Sequence, residues 1–534
     1  MLAPTATPAK GLPLLRKWLL IGASVLIVLF VALYVVSVVV IVPRLQRGAR
    51  ERTEDYLSKR FESSVEIADF HIQLRPTIRV EVDGILLRHH GRRDVPPLIE
   101  IQRALFDANL AGLLGRKADV QLVRLEGLQV HVPPREPGSP PMLRGTDENL
   151  ASKYPIVIHQ IQADSATLVI LPRIEDSDKP PNQFEIHQLK LENFAFDRPA
   201  SFQALLTNPK PRGLINCEGQ FGPWLADEPA ATPVAGAYTF QHADMSTLKG
   251  LKGMMDSTGQ FRGPLDYLSV DGQTDIPDFA LRTSARPIAL HTDYSAIVDG
   301  TNGNTILRSV TARFLQTTLS VQGEVVDLNK TVKGRTIELH TTSSSARIED
   351  LLTLAVDRLP PALSGPAKLE ARIDIPEQED TDLIDRMKLT GRFGVGKMEF
   401  SDGDTQSKVD SLSRRGRGQP KDTSVTDQPS SLTARFTMDH STISMSNLMF
   451  SVEGANISLD GTYAMDTGAL DFKGHLKLDA KLSEATTGAK SFFLKAVDPF
   501  FTKNGAGTDL PIKITGTKDH PSFGLDLHDK ANRN

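Results

Sequence analysis

The stretch Leu19–Val42, LLIGASVLIVLFVALYVVSVVVIV, contains no charged residue, and as a helix rising about 1.5 Å per residue it would extend roughly 36 Å. An uncharged run of that length needs lipid as its solvent, so it predicts a transmembrane helix preceded by a tail of residues 1–18. A secretory leader has a shorter apolar core ending in small residues. This core runs straight into Pro43 and Arg44, so the span is expected to remain uncleaved. Trp18 at one end and Pro43 at the other suit the two interfaces.

Lys10, Arg16 and Lys17 precede the span, and Arg44, Arg47, Arg50 and Arg52 follow it. That count points the long part toward the cytoplasm, by a rule that weakens for long domains. The single cysteine, Cys217, excludes an intramolecular disulfide framework and decides nothing between compartments. Lys and Arg (61) nearly balance Asp and Glu (65), which removes the basic face that nucleic acid requires.

Beyond the span the chain alternates apolar and polar residues with period two, which places the apolar side chains on one face of a strand. Ile78 to Val82 is the clearest case, and Gly84 then offers a turn or bulge before Ile85 to Leu87. Strands are expected at Leu98 to Ile101, Leu105 to Ala108, Val120 to Leu125 and Leu128 to Val132, with a helical turn at Leu110 to Leu114. The same cadence continues at Ile156 to Ile161, Ala166 to Leu171, Phe184 to Leu191 and onward to Phe523 to Leu527, punctuated by 39 glycines and 34 prolines. Two segments carry a helical period instead: Ala346 to Val356, stopped by Pro360-Pro361, and Leu482 to Phe493 and beyond. Ser401 to Ser431 is nearly devoid of apolar residues and is expected to be a mobile loop.

Roughly thirty strands without parallel crossover helices predict a mainly β fold, a transmembrane helix followed by an elongated, twisted antiparallel sheet forming a groove. The expected divisions are 43–135, an N-terminal β region; 136–400, a repeated antiparallel groove; 401–431, the flexible loop; and 432–534, a C-terminal β region with an amphipathic helix. An apolar sheet face must be closed, layered over, or filled by something apolar that is not protein. Aromatic content of only 6 % and few covering helices leave room for the third.

Two blocks, SSVEIADFHIQLRPTIRVEVDGILLRHHG with PPLIEIQRALFDANLAGLLGRKADVQLVRLEGLQVHVP, and LMFSVEGANISLDGTYAMDTGALDFKGHLKLDAKLSEATTG with LPIKITGTKDHPSFGLDL, resemble the AsmA-like proteins of the bacterial envelope. The resemblance implies a single-pass bacterial inner-membrane protein with its β-rich part in the periplasm, which overrides the flanking-charge count. It also implies a groove related to bridge-like lipid transfer proteins and a role in moving phospholipid or maintaining the outer membrane.

Catalytic chemistry is not expected. Gly391 to Met398 nearly matches a phosphate-binding loop, but Met398 stands where magnesium needs a hydroxyl, and MEF continues a strand. Ser246-Thr247-Leu248-Lys249 has the S-x-x-K spacing without its companion motifs. His89 and His90 would point to opposite faces, and Asp402 with Asp404 falls in the expected loop, so no metal site or cofactor follows. The expected function is noncatalytic handling of phospholipid, with acyl chains lying against an inward apolar row whose candidate members are Ile78, Val80, Val82, Val120 and Leu122. The expected partners are acyl chains, the inner membrane, and outer-membrane or periplasmic proteins. The alternative is an anchored scaffold for outer-membrane protein assembly that holds polypeptide at its sheet edges.

Overall fold

Period-two alternation is carried through into strands that are longer than the sequence suggests. The computed structural model describes residues 48–58, 63–74, 78–108, 118–132, 156–171, 181–223, 231–327, 334–485 and 507–526, apart from a few single or paired positions. Among the described residues the chain is mainly β, with twenty-six strands. No helix among them is long and apolar enough to cross a membrane, and Leu19–Val42 lies outside them, as do the turn expected at Leu110 to Leu114 and most of the helix expected from Leu482.

The chain divides into two compact units, Met1–His131 with Thr146–Asp164 and Glu192–Ala195, and Val132–Gly145 with Ser165–Leu191 and Phe196–Asn534. The first holds β1 (Ser63–Leu74), β2 (Ile78–His89), β3 (Ile99–Ala108), β4 (Ala118–Glu126), most of β5 (Gln129–Val132) and the first half of β6 (Ile156–Ile170). β1 to β4 form an antiparallel meander, and β6 joins β4 in parallel. β2 merges two expected strands because Gly84, at φ +64°, keeps the ladder intact while the apolar phase changes from Val80 and Val82 to Ile85 and Leu87. Beside it, Glu54 in the helical residues 50–55 accepts from the Ile67 amide at 2.9 Å.

β7 (Asn182–Phe194) is divided between the units. The second unit then runs as β8 (Ala200–Pro209), β9 (Arg212–Phe221), β10 (Pro233–Asp244), β11 (Leu251–Lys252), β12 (Met254–Pro264), β13 (Leu268–Leu281), β14 (Ile288–Val298), β15 (Thr305–Phe314) and β16 (Thr317–Val326). It continues through β17 (Thr336–Arg347), β18 (Leu363–Ser364), β19 (Pro366–Ile375), β20 (Lys388–Phe400), β21 (Ser430–Asp439), β22 (Thr442–Val452), β23 (Ala455–Ala464), β24 (Ala469–Leu478), β25 (Thr508–Thr517) and β26 (Pro521–Leu525). From β8 to β26 the long strands pair antiparallel with their neighbours, while the two-residue β11 and β18 pair beside β13 and β20.

Among the described residues three α-helices lie between these strands. α1 (Ile348–Ala355) is the helix expected at Ala346 to Val356, shortened because Ala346 and Arg347 still belong to β17. Its Ile348 and Leu351 pack on buried Ala346, Ala367, Val395 and Met398. α2 (Leu383–Arg386) is a single turn capped by Asp382, whose carboxylate accepts from the Ile384 amide at 2.8 Å.

α3 (Gly403–Gly416) corrects the expectation of a mobile loop over 401–431. Asp402 caps it, accepting from the Thr405 amide at 2.8 Å, and this contact with the Thr405 hydroxyl holds the Asp402 carboxyl below its ordinary value. Val409 and Leu412, one turn apart, dock on Val452, Ala455 and Leu478. Asp410, 6 % exposed, accepts the amides of Asp427 and Gln428 and so ties down the following segment. Two apolar residues are enough for a helix when the sheet supplies the remaining apolar surface.

Candidate functional site

Cross-strand partners in a ladder point to the same side, so the register assigns each residue to a face. In the first unit, one face carries the rows Val80–Phe106–Val123–Ile161 and Val82–Ala104–Leu125–Ala163; along the backbone Ile78 pairs with Ala108, and Ala108 with Val120. The other face carries ion pairs. Arg79 meets Asp107 at 2.8 Å, and Arg103 meets Asp83 at 3.0 Å and Glu81 at 3.1 Å. The hydrogen bonds to Asp107 and Asp83 push these two guanidinium groups up.

Of the five expected lining residues, Val80, Val82 and Val120 share the apolar face and Leu122 does not, while Ile78 is placed by its backbone pairing with Ala108. The register slips between Asp107 and Ala108, which pair with Leu122 and Val120, so Gln121 is an extra residue. This β-bulge turns Leu122 toward the face of Asp107 and Arg79, against simple alternation. Val82, Ala104 and Val123 are each 3 % exposed or less. At that level the face is a closed core. Val80 and Val120 are half-buried.

The second unit contains a longer and more open apolar face. A single row runs Ala204, Cys217, Tyr238, Gly259, Gly272, Tyr294, Val310 and Val321, then Thr341, Ala371, Gly391, Phe436, Met445, Gly461, Phe472, Ile514 and Phe523. Most of these positions are half-buried, neither core nor surface. A parallel row holds Leu339, Ile373, Leu389, Met438, Ile443, Tyr463 and Leu470. Near one end of the strands, α1 packs in a cluster with Phe393, Leu432 and Phe450, and α3 in one with Phe450 and Leu476.

The opposite face of the second unit is ionic. Arg372 pairs with Glu338 at 2.8 Å and Asp374 at 2.9 Å, Arg392 with Glu370 at 2.9 Å, and His291 with Asp275 at 2.7 Å. A shallow depression of about 670 Å³ is lined by Glu370, Arg372, Arg392 and Arg435, and also by Phe436 and Met445 of the apolar row, among others. Its arginines at 372 and 392 already hold carboxylates.

Cys217, the one cysteine, sits within the apolar row with its sulfur 3.7 Å from the Ala204 carbonyl, and burial pushes its thiol up to about 11. Near it the row is interrupted by hydroxyls. The Tyr238 and Tyr294 hydroxyls hydrogen-bond to each other, and they lie 3.3 Å and 3.2 Å from Ser257 Oγ. Ser257 Oγ donates to the Gln273 carbonyl at 2.8 Å, and Thr274 Oγ1 donates to Ser257 at 3.1 Å. The tyrosines belong to β10 and β14, three strand steps or about 14 Å apart. They meet because the two intervening positions are glycines: a Cβ on Gly259 would stand 2.8 Å from the Tyr238 ring, and one on Gly272 would stand 2.8 Å from the Tyr238 hydroxyl. Nothing in the local sequence around Tyr238 or Tyr294 reveals this pairing.

The motifs weighed for chemistry are structural. Gly391 to Met398 lies in β20, where Gly391 allows close approach to the Glu370 carbonyl, and Lys397, at φ +48°, sits at a bulge before the buried Met398. Ser246 is in a short turn capped by Asp244, which accepts from its amide at 2.9 Å. His89 ends β2 ahead of a turn in which the Gly91 amide donates to the Arg88 carbonyl. Among the described residues no three His, Cys, Asp or Glu side chains gather as metal ligands. No family model, curated protein or solved structure matches this chain.

Proposed function

We propose that this protein is a membrane-anchored, noncatalytic lipid-handling factor whose second unit accepts the acyl chains of phospholipid on its apolar sheet face. The observation that carries the reading is the row from Ala204 to Phe523, continuous in register and half-buried at most of its positions, with ion pairs on the opposite side. Each methylene that leaves water for such a face contributes about 0.8 kcal/mol, and a row of similar apolar residues offers no deep trap, so chains slide along it. The uncharged Leu19–Val42 supports an anchor in a bilayer, and the resemblance to AsmA-like envelope proteins supports a periplasmic second unit and a role in outer-membrane maintenance.

The test is native mass spectrometry with lipid extraction on the full chain purified gently from membranes. Several phospholipids per chain support the reading. A folded, lipid-free protein refutes it. The rival reading, a scaffold for outer-membrane proteins, draws on β26, where Phe523 is 73 % exposed and Leu525 47 % exposed on a strand paired on one side among the described residues. It predicts polypeptide at that edge and no bound lipid.

A further inference from the structure

The hydroxyl cluster on the apolar face has a hydrogen-bond balance that points to a ligand atom. Thr274 gives its proton to Ser257, and Ser257 gives its own to the Gln273 carbonyl. Of the two phenol protons, one is used between Tyr238 and Tyr294. The other has only Ser257 Oγ, at 3.2 Å from Tyr294 or 3.3 Å from Tyr238, and that oxygen already accepts from Thr274. A contact this long is weak for an O–H donor, whose usual distance is about 2.8 Å. One donor in the cluster is therefore poorly held.

The same-face neighbours in the adjoining rows are Gly236, Phe261, Val270 and Ala296 on one side, and Phe240, Ser257, Thr274 and Thr292 on the other. None is charged. Burial raises the Tyr238 phenol and keeps it protonated. An anionic oxygen brought here would meet no cation to offset its desolvation, whereas a neutral carbonyl needs only the one donor.

We propose that Tyr238 and Tyr294 form a station for one neutral carbonyl oxygen, the ester carbonyl of a diacyl lipid whose chains lie along the apolar rows on either side. This rests on the lipid-handling reading and specifies where along the face a lipid pauses. The phenol proton turns from Ser257 to the ester oxygen, and Ser257 keeps its bonds to Thr274 and Gln273.

The experiment offers the full-length protein equal amounts of dioleoyl phosphatidylcholine and its diether analogue, which keeps the headgroup and chains but lacks both carbonyls. Retention is read by native mass spectrometry. One hydrogen bond of ordinary net strength predicts about a fivefold preference for the diester. The Tyr238→Phe/Tyr294→Phe double variant should lose the preference and retain the two lipids in equal proportion. Equal retention of the two lipids by the unaltered protein overturns the station, including the case in which phosphate is the group recognised, and leaves the apolar-face reading standing. A preference that survives in the double variant also overturns it. Retention of neither lipid overturns both readings.

Discussion

Asp350, 5 % exposed, is the polar anchor by which α1 is held on the sheet, and its removal has a calculable effect. One carboxylate oxygen, Oδ2, accepts both the Gln316 amide at 2.9 Å and the Thr317 hydroxyl at 2.8 Å. Thr317 is itself 1 % exposed and accepts the Arg347 amide at 2.9 Å, so it has no solvent to turn to. Asp350→Ala leaves the buried Thr317 hydroxyl without its acceptor, at about 1–3 kcal/mol, and frees the amide of Gln316, an exposed residue that water serves at smaller cost, for about 2–3 kcal/mol together. Asp350→Asn is a different perturbation. Because both donors converge on one oxygen, an amide oxygen in that place keeps both bonds and loses only their charge assistance, about 1 kcal/mol. Hydrogen exchange of peptides covering Ile348–Ala355 reads these as local opening: about 100-fold faster exchange for alanine and about fivefold for asparagine. Equal acceleration by the two substitutions would refute the argument, since it would mean that the shared oxygen is not what docks the helix.

Phe436→Glu, on a half-buried position of the long row, should leave far-ultraviolet circular dichroism unchanged while sharply lowering co-purified phospholipid; unchanged lipid content would count against the apolar-face reading. Gly272→Val places methyl groups where the two tyrosine hydroxyls and the Thr258 carbonyl already crowd, and should destabilise the second unit by about 1–3 kcal/mol in urea unfolding. Glu349 gives a pH dependence. Burial works to raise its carboxyl, but the Gly365 amide at 3.0 Å and Arg347 outweigh it and the net shift is downward. A lowered carboxyl contributes fully above the ordinary value of about 4.3 and loses that contribution as pH falls through its lower folded value. Glu349→Gln should therefore flatten the acid limb of stability around α1, measured by exchange between pH 5 and pH 2.

Merged strands account for much of the difference between sequence and structure. Ile156 to Ile161 and Ala166 to Leu171 read as two strands because the apolar phase breaks between them, yet β6 runs unbroken with Ser165 at φ +59°. Gly84 does the same in β2, and the bulge at Gln121 moves Leu122 off the face that alternation assigns it. A single left-handed or extra residue changes the face while the ladder continues, and period-two reading takes it for an end.

By itself the sequence determined the β class, the antiparallel order from β8 onward, the helix at α1 and the polarity of each strand's two sides, because alternation is a local property of extended chain, whereas the parallel pairing of β6 with β4 departs from the expected antiparallel order. Tertiary structure alone decided which apolar residues share a row, that Val82 is closed core while Phe436 is half-open, and that residues 403–416 are a helix. It also brought Tyr238 over Gly259 and Gly272 to Tyr294. Those facts depend on register between strands far apart in the chain, and register is set by the sum of many cross-strand contacts, none of which is written in the residues next to Tyr238.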